Sequence, residues 1–278
     1  MQAPTRTLLL MHTAPGLLAA LREAAGQGWR VWPADDWDAL ERGLQRVPPG
    51  ALAVVDPYLD HPGPGPSPRL RALLEGYPSA TVVAALPVTG STIPDLEPLV
   101  RWGVAELIDL GREDTPAALR QRLDAVQGRL VQRLLDRALP RATPTRTRGL
   151  LAAAAETVAG GGGAAELAVK LGATERSVLR WCRRADLPDP RRLLAWLRVL
   201  MAAEMMDDGG RTLASVARAC GYSGDAALRN AIRSFLGAPP SDLRGRAFER
   251  AAAAFAAELF SLREAGRAGG RPDRNWLH

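Results

Sequence analysis

Two short stretches carry side chains whose types and spacing suit the reading of nucleic acid. The first holds Arg176, Ser177, Leu179, Arg180, Arg183 and Arg184 around an inward pair, Val178 and Cys182, four residues apart. The second holds Asp225, Ala226, Arg229, Asn230 and Arg233, with Leu228, Ile232 and Phe235 spaced to face a core. Arginine can bind guanine O6 and N7 with two hydrogen bonds, asparagine can do the same to adenine, and an aliphatic side chain can meet a thymine methyl. Arg176, Leu179 and Arg180, and on the second stretch Asp225, Ala226, Arg229 and Asn230, are therefore candidate base contacts. Arg183, Arg184 and Arg233 suit phosphates, which position a protein without reporting sequence.

Such chemistry needs helices presented at a fixed angle. Leu167, Ala168 and Leu171 make an apolar stripe, Gly172 supplies a turn, and Thr174 is placed to cap the helix that follows. The pattern repeats downstream. Thr212 is an N-cap, because its hydroxyl can accept a helix amide. Leu213, Val216 and Ala217 form the stripe, and Gly221 provides the positive φ of a tight turn. A short helix, a glycine turn and a second amphipathic helix make a helix-turn-helix, a device for placing a helix in the major groove. Leu193, Leu197, Leu200, Met201 and Met205 repeat at helical spacing and predict a connecting helix over 191–206. Gly160 to Gly163 reads as a flexible loop ahead of the first unit.

Charge is divided along the chain. Residues 1–145 hold 15 Arg and 16 Asp+Glu, a net of −1; residues 146–278 hold 21 Arg+Lys and 14 Asp+Glu, a net of +7. Only Lys170 among the 36 basic residues is a lysine, so arginine content by itself reflects composition. The location of the excess carries the argument, because a basic domain attracts polyphosphate through counterion release.

These features resemble the AraC/XylS family of transcription regulators, over residues 148–246. The most specific segments are Thr212-Leu-Ala-Ser-Val-Ala-Arg-Ala-Cys-Gly-Tyr-Ser and Gly237-Ala-Pro-Pro-Ser-Asp-Leu-Arg244. The resemblance implies two helix-turn-helix subdomains on a rigid connecting helix, with recognition helices entering successive major-groove segments. Cys182, Leu228 and Ile232 stand where the family usually has Phe, and Asn230 where Arg is common.

The first half alternates short apolar runs with helical ones, which implies a parallel sheet covered on both faces. Strands are expected at 7–11, 29–32, 51–55, 80–86 and 105–110, and helices at 15–25, 37–46, 69–74, 96–102 and 116–139. Five such repeats, with Asp56 ending the third strand, resemble the receiver domain of response regulators over roughly 5–137. The resemblance would make Asp56 a phosphoacceptor. However, His12 and Thr13 stand where a receiver has its acidic pair, Asp109-Leu-Gly-Arg112 replaces the expected lysine, and Thr89 is only loosely placed for the family's hydroxyl. Asp56 before Pro57 also reads as a strand-end turn residue, which makes the domain a pseudo-receiver.

The expected fold class is thus α/β plus all-α: a receiver-like five-stranded parallel-sheet domain (1–137), a linker (138–147), a double helix-turn-helix domain (148–246), and a C-terminal helix with a polar, mobile tail (247–278). Two cysteines, Cys182 and Cys220, suit a reducing cytoplasm better than a disulfide framework. His12, His61 and His278 are scattered, so no metal site and no cofactor is expected, and no nucleophile–base pair suggests an enzyme. No signal peptide or membrane span is read. The expected partner is double-stranded DNA, with a homodimer and RNA polymerase as further candidates, and the Ala251–Leu262 helix as a candidate dimer contact.

Overall fold

The computed structural model describes residues 6–26, 28–140 and 143–268. Strands β1 (Arg6–Met11), β2 (Trp29–Pro33), β3 (Leu52–Val55), β4 (Thr81–Leu86) and β5 (Glu106–Asp109) form one sheet in the order β2-β1-β3-β4-β5. Every pairing is parallel; Leu9 lies opposite Trp32 and Ala53, and Val54 opposite Val83. This is the strand order of flavodoxin-like doubly wound sheets. β3 and β4 are buried along their whole length, as strands covered on both faces must be.

Alternation within each strand feeds two separate cores. Leu8, Leu10, Leu52, Val54, Val83 and Ile108 pack under α1 (Pro15–Ala25) and the first half of α5 (Pro116–Ala138). Leu9, Met11, Ala53, Val55, Ala84 and Leu86 pack under α2 (Trp37–Leu44), α3 (Pro68–Gly76) and α4 (Ile93–Trp102). Trp29 and Trp37 are core residues, whereas Trp32 is exposed and Trp102 half-buried.

The second half is helical: α6 (Thr145–Ala159), α7 (Ala164–Lys170), α8 (Glu175–Arg184), α9 (Pro190–Met206), α10 (Leu213–Ala219), α11 (Asp225–Leu236) and α12 (Ala247–Ala268). They share one core with the end of α5, which contributes Val131, Leu134, Leu135 and Ala138. α9 is buried on nearly all sides and is the strut of this domain. α12 is longer than its apolar pattern suggests, and it packs on its own domain through Phe248, Ala251, Phe255 and Leu259. Residues 269–278 of the expected tail lie outside the described residues.

Two expectations change. The stretch 138–147 is not a free linker. Ala138 ends α5, Leu139 is buried in the helical core, α6 begins at Thr145, and Asp136 pairs with Arg148 at 2.7 Å. Arg141 and Ala142 lie outside the described residues. Two prolines mark a chain reversal here, but the flanking apolar residues dock on both sides of it. The Gly160–Gly163 run is a packed turn: Gly162 donates to Thr157 O (2.8 Å), and a Cβ on Gly162 would stand 2.8 Å from Thr157 Cγ2. Glycine is needed there for close approach rather than for looseness.

The halves are docked through loops at the N-terminal ends of β3 and β4. Gly50, just before β3, lies so close to Ala159 at the end of α6 that a Cβ would stand 2.8 Å from the Ala159 methyl. Before β4, Gly76 O accepts from Gly210 N (2.9 Å) and Ser79 N donates to Asp208 Oδ1 (2.9 Å). Ser79 Oγ donates to Asp208 Oδ2. Asp208 also pairs with Arg211 at 2.8 Å, and Arg211 Nη1 donates to Leu44 O (2.7 Å). Both charged side chains are almost fully buried, at 1% and 3% exposed. Tyr77 lies under this loop. Its hydroxyl accepts from Gln45 and has one proton to share between Glu41 Oε1 (2.8 Å) and Gly210 O (3.0 Å). Burial, with Glu41 beside it, raises its pKa above the ordinary phenol value.

Removing one member of a buried ion pair strands the other without compensation, at a cost of about 3–5 kcal/mol. Asp208→Ala and Arg211→Ala should each lower the unfolding free energy by that order in urea titrations. A loss below about 1 kcal/mol, the range of an exposed pair, would show that the clamp is solvated in solution.

Candidate nucleic-acid interface

Two helix pairs, α7–α8 and α10–α11, are built on the same local design. After α7, Gly172 adopts φ +59°, its amide donates to Val169 O (3.0 Å), and Ala173 N donates to Ala168 O (2.9 Å). After α10, Gly221 adopts φ +73°, its amide donates to Arg218 O (3.1 Å), and Tyr222 N donates to Ala217 O (2.8 Å). A left-handed residue whose successor bonds five residues back ends a helix and turns the chain sharply. Glycine serves both turns because other side chains resist positive φ.

The helices after the turns start differently. Thr174 Oγ1 accepts from Ser177 N (3.2 Å) and donates to Ser177 Oγ (3.1 Å), so α8 is side-chain capped. α11 begins at Asp225, and Gly224 at its N-cap offers no side-chain bond. The helices before the turns are capped as well: Glu166 Oε2 accepts from Gly163 N (2.9 Å) at α7, and Thr212 with Ser215 forms a capping box at α10.

The core side of each pair is apolar. Val178 and Cys182 on α8, and Leu228 and Ile232 on α11, are fully buried. Phe235 is half-buried and meets the Trp196 ring edge-on at 4.7 Å. Trp196 Nε1 donates to Glu258 Oε2 (2.8 Å), which Arg192 also grips. Burial would raise the Glu258 carboxyl, but its bonds from Arg192 and Trp196 together hold it below the ordinary carboxylate range. This ties α12 to the strut.

On the opposite side of α8, Arg176, Arg180, Arg183 and Arg184 are exposed, while Ser177 and Leu179 are half-buried. On α11, Ala226, Arg229, Asn230 and Arg233 are exposed, and Asp225 is half-buried with Arg229 4.0 Å away. All eleven sequence-derived candidates thus sit on the second helices of the two pairs. Sequence reasoning passed over Arg244. It follows the short turn Pro240–Asp242, donates to Arg211 O (2.9 Å), and shares a cavity wall with Arg229 and Arg233. The only sequence signal for it was its place at the end of the Gly237–Arg244 segment.

The C-terminal ends of the strands hold the other candidate, Asp56. Its Oδ1 accepts from Tyr58 N (2.9 Å), a local turn bond, and Tyr58 donates its hydroxyl to Asp95 Oδ2 (2.9 Å). His12 Nδ1 accepts from Ala14 N (2.9 Å), so Nε2 carries the proton it donates to Ala85 O (3.1 Å). Asp109 accepts from Val88 N and Gly111 N, and these backbone bonds hold its carboxyl below the ordinary range. Thr89 Oγ1 pairs with Ser91 Oγ at 2.9 Å in an exposed loop.

Residues 167–246 match the protein family described as a helix-turn-helix domain. The matched span covers both helix pairs apart from the first residues of α7. It supports a DNA-binding domain of the AraC/XylS kind, and with it a DNA-binding transcription regulator. No curated protein and no solved structure matches the chain. Among the described residues, no helix is long and apolar enough to cross a membrane.

Both cysteines lie inside this domain. Burial pushes the Cys182 thiol up to about 11 and the Cys220 thiol up to about 12. The thiolate is the reactive form. At pH 8 a thiol reagent such as Ellman's should therefore leave both cysteines unmodified in the native protein and modify both after denaturation. Rapid native labelling of either would contradict the packing described around α8 and α10.

Proposed function

We propose that the chain regulates transcription by gripping DNA with both helix pairs, α8 and α11 serving as recognition helices in successive major-groove segments. The observation that carries this reading is the repeated turn design on one buried strut. Each unit presents an arginine-bearing helix, and α9, at about 1.5 Å per residue over 17 residues, spans about 25 Å. A strut of that length suits two contacts on one face of a duplex, whose helical turn is about 34 Å. Base contacts are assigned to Arg176, Leu179 and Arg180 on α8 and to Asp225, Ala226 and Asn230 on α11. Ser177 supports the start of α8, and Arg183 and Arg184 are assigned to phosphates.

The N-terminal domain is read as a receiver-like regulator that acts through its docking surface and not through Asp56. Two features favour this. Asp56 is engaged in a turn with Tyr58, and it follows β3 at the strand ends opposite those that grip the helical domain. Incubation with acetyl phosphate and Mg²⁺, followed by intact mass, should give no adduct. A stable phosphoryl adduct lost in Asp56→Ala would reverse the assignment.

Selection of random duplex DNA on the purified protein tests the main reading. The expected product is a motif of two short blocks about one helical turn apart. Arg176→Ala and Arg180→Ala should each relax preference at one base position, a loss of roughly 1–3 kcal/mol of discrimination. Arg183→Ala should weaken all sequences alike. Binding without any motif, collapsing as salt rises, would leave only a basic surface.

A further inference from the structure

Beside α11 lies a cavity of about 240 Å³, bounded by α10, α11 and the segment 239–244. Four arginines, Arg211, Arg229, Arg233 and Arg244, and two hydroxyl residues, Thr212 and Ser241, line it, and no carboxylate residue does. Arg211 has its charge met internally by Asp208. Arg244 is oriented by its bond to Arg211 O. Arg229 and Arg233 stand one helical turn apart and line the same space; Asp225, outside the lining, pairs with Arg229 at 4.0 Å. Ala226 and Asn230 do not line the cavity.

Gathering guanidinium groups is unfavourable unless anions join them, and among the described residues only Arg211 and Arg229 of the four have an ion-pair partner. Arginine forks match phosphate oxygens with paired hydrogen bonds. The space is smaller than the roughly 300–1,000 Å³ of sites that enclose drug-sized molecules, which favours one phosphate group of a passing strand over a whole effector. We propose that this cavity is a phosphodiester site for the bound duplex, and that Arg229 belongs to it together with Arg233 and Arg244. On this reading Arg229 contacts no base, and the base contacts of α11 are left to Asp225, Ala226 and Asn230. The assignment rests on the DNA-binding function proposed above and refines it.

The test uses the full chain, with Arg229→Gln and Arg233→Gln, both at exposed helix positions. Each variant should weaken binding to every duplex by a similar factor, about three- to tenfold, and lower the slope of log K against log salt by about one. The selected motif should stay unchanged. A neutral methylphosphonate at one linkage should remove the effect of both variants. If Arg229→Gln instead relaxes one base position with the salt slope intact, Arg229 is a base reader and the proposal fails.

Calorimetric titration with inorganic pyrophosphate separates the site from the function. If the wild-type chain binds no duplex but binds pyrophosphate, and both variants abolish this, the DNA reading falls and the cavity stands as a site for a free phosphate-bearing anion. If duplex binding is intact and the variants change neither the salt slope nor pyrophosphate binding, the cavity site falls and the DNA reading stands.

Discussion

The arrangement of the whole molecule depends on one buried ion pair, Asp208 with Arg211. Taking two charges out of water costs several kcal/mol per ion, which is recovered only when hydrogen bonds satisfy the remaining donors and acceptors. Here they do so from both halves of the chain. Asp208 collects Arg211 Nε together with the amide and hydroxyl of Ser79, and Arg211 reaches Leu44 O. The pair is therefore satisfied only while the sheet domain is docked. Arg211 immediately precedes Thr212, the N-cap of α10, so the same contact fixes where the second helix-turn-helix begins. At the same end of the sheet Gly50 closely approaches Ala159, the last residue of α6, the helix that precedes the first pair.

α5 adds a covalent link to this mount. It starts in one core with Leu119, Leu123 and Val126 and ends in another with Val131, Leu134 and Leu135. At the hand-over stand Gln127, whose buried Oε1 has no hydrogen-bond partner, and the exposed Gly128. Glycine in a helix interior costs about 1 kcal/mol against alanine, and an unsatisfied buried acceptor adds to that. The helix is least stabilised where it belongs to neither core.

Much of this was legible in the chain. Strands β1 to β5 follow from short β-branched and leucine runs, and the full burial of β3 and β4 follows from their lack of polar alternation. The two helix pairs follow from glycine turns at Gly172 and Gly221, flanked by apolar stripes and hydroxyl caps. The clamp was not legible. Asp207-Asp208-Gly209-Gly210-Arg211 has the composition of a solvated loop, and nothing in its spacing distinguishes Asp208, which is buried, from Asp207, which accepts from the amides of Ala247 and Phe248. Gly210 is fixed by a contact with Tyr77 that lies 133 residues away in sequence. Local patterning does not encode such partners. The same limit explains the linker: Pro140 and Pro144 punctuate the chain correctly, but whether Leu139 between α5 and α6 is solvated depends on a core assembled from distant helices.

The separation between the clamp and Asp56 bears on how regulation could work. In an open α/β sheet, ligands and chemistry belong at the C-terminal ends of the strands. This molecule attaches its DNA-binding half to the other end. A signal arriving near Asp56 or Asp109 would have to cross β3 and β4, which are buried along their full length and close-packed. Packed interiors respond by switching between discrete arrangements and not by graded deformation. The docking loops are better placed to respond directly, because Tyr77, Glu41 and Gln45 form a polar cluster against Gly210 at the seam itself. A ligand, a partner or a change of charge at that seam would act two residues away from the N-cap of α10, with no need for a relay through the sheet. A change at the domain boundary would thus reach the second helix pair directly, whereas one at the strand ends would have to cross the buried sheet.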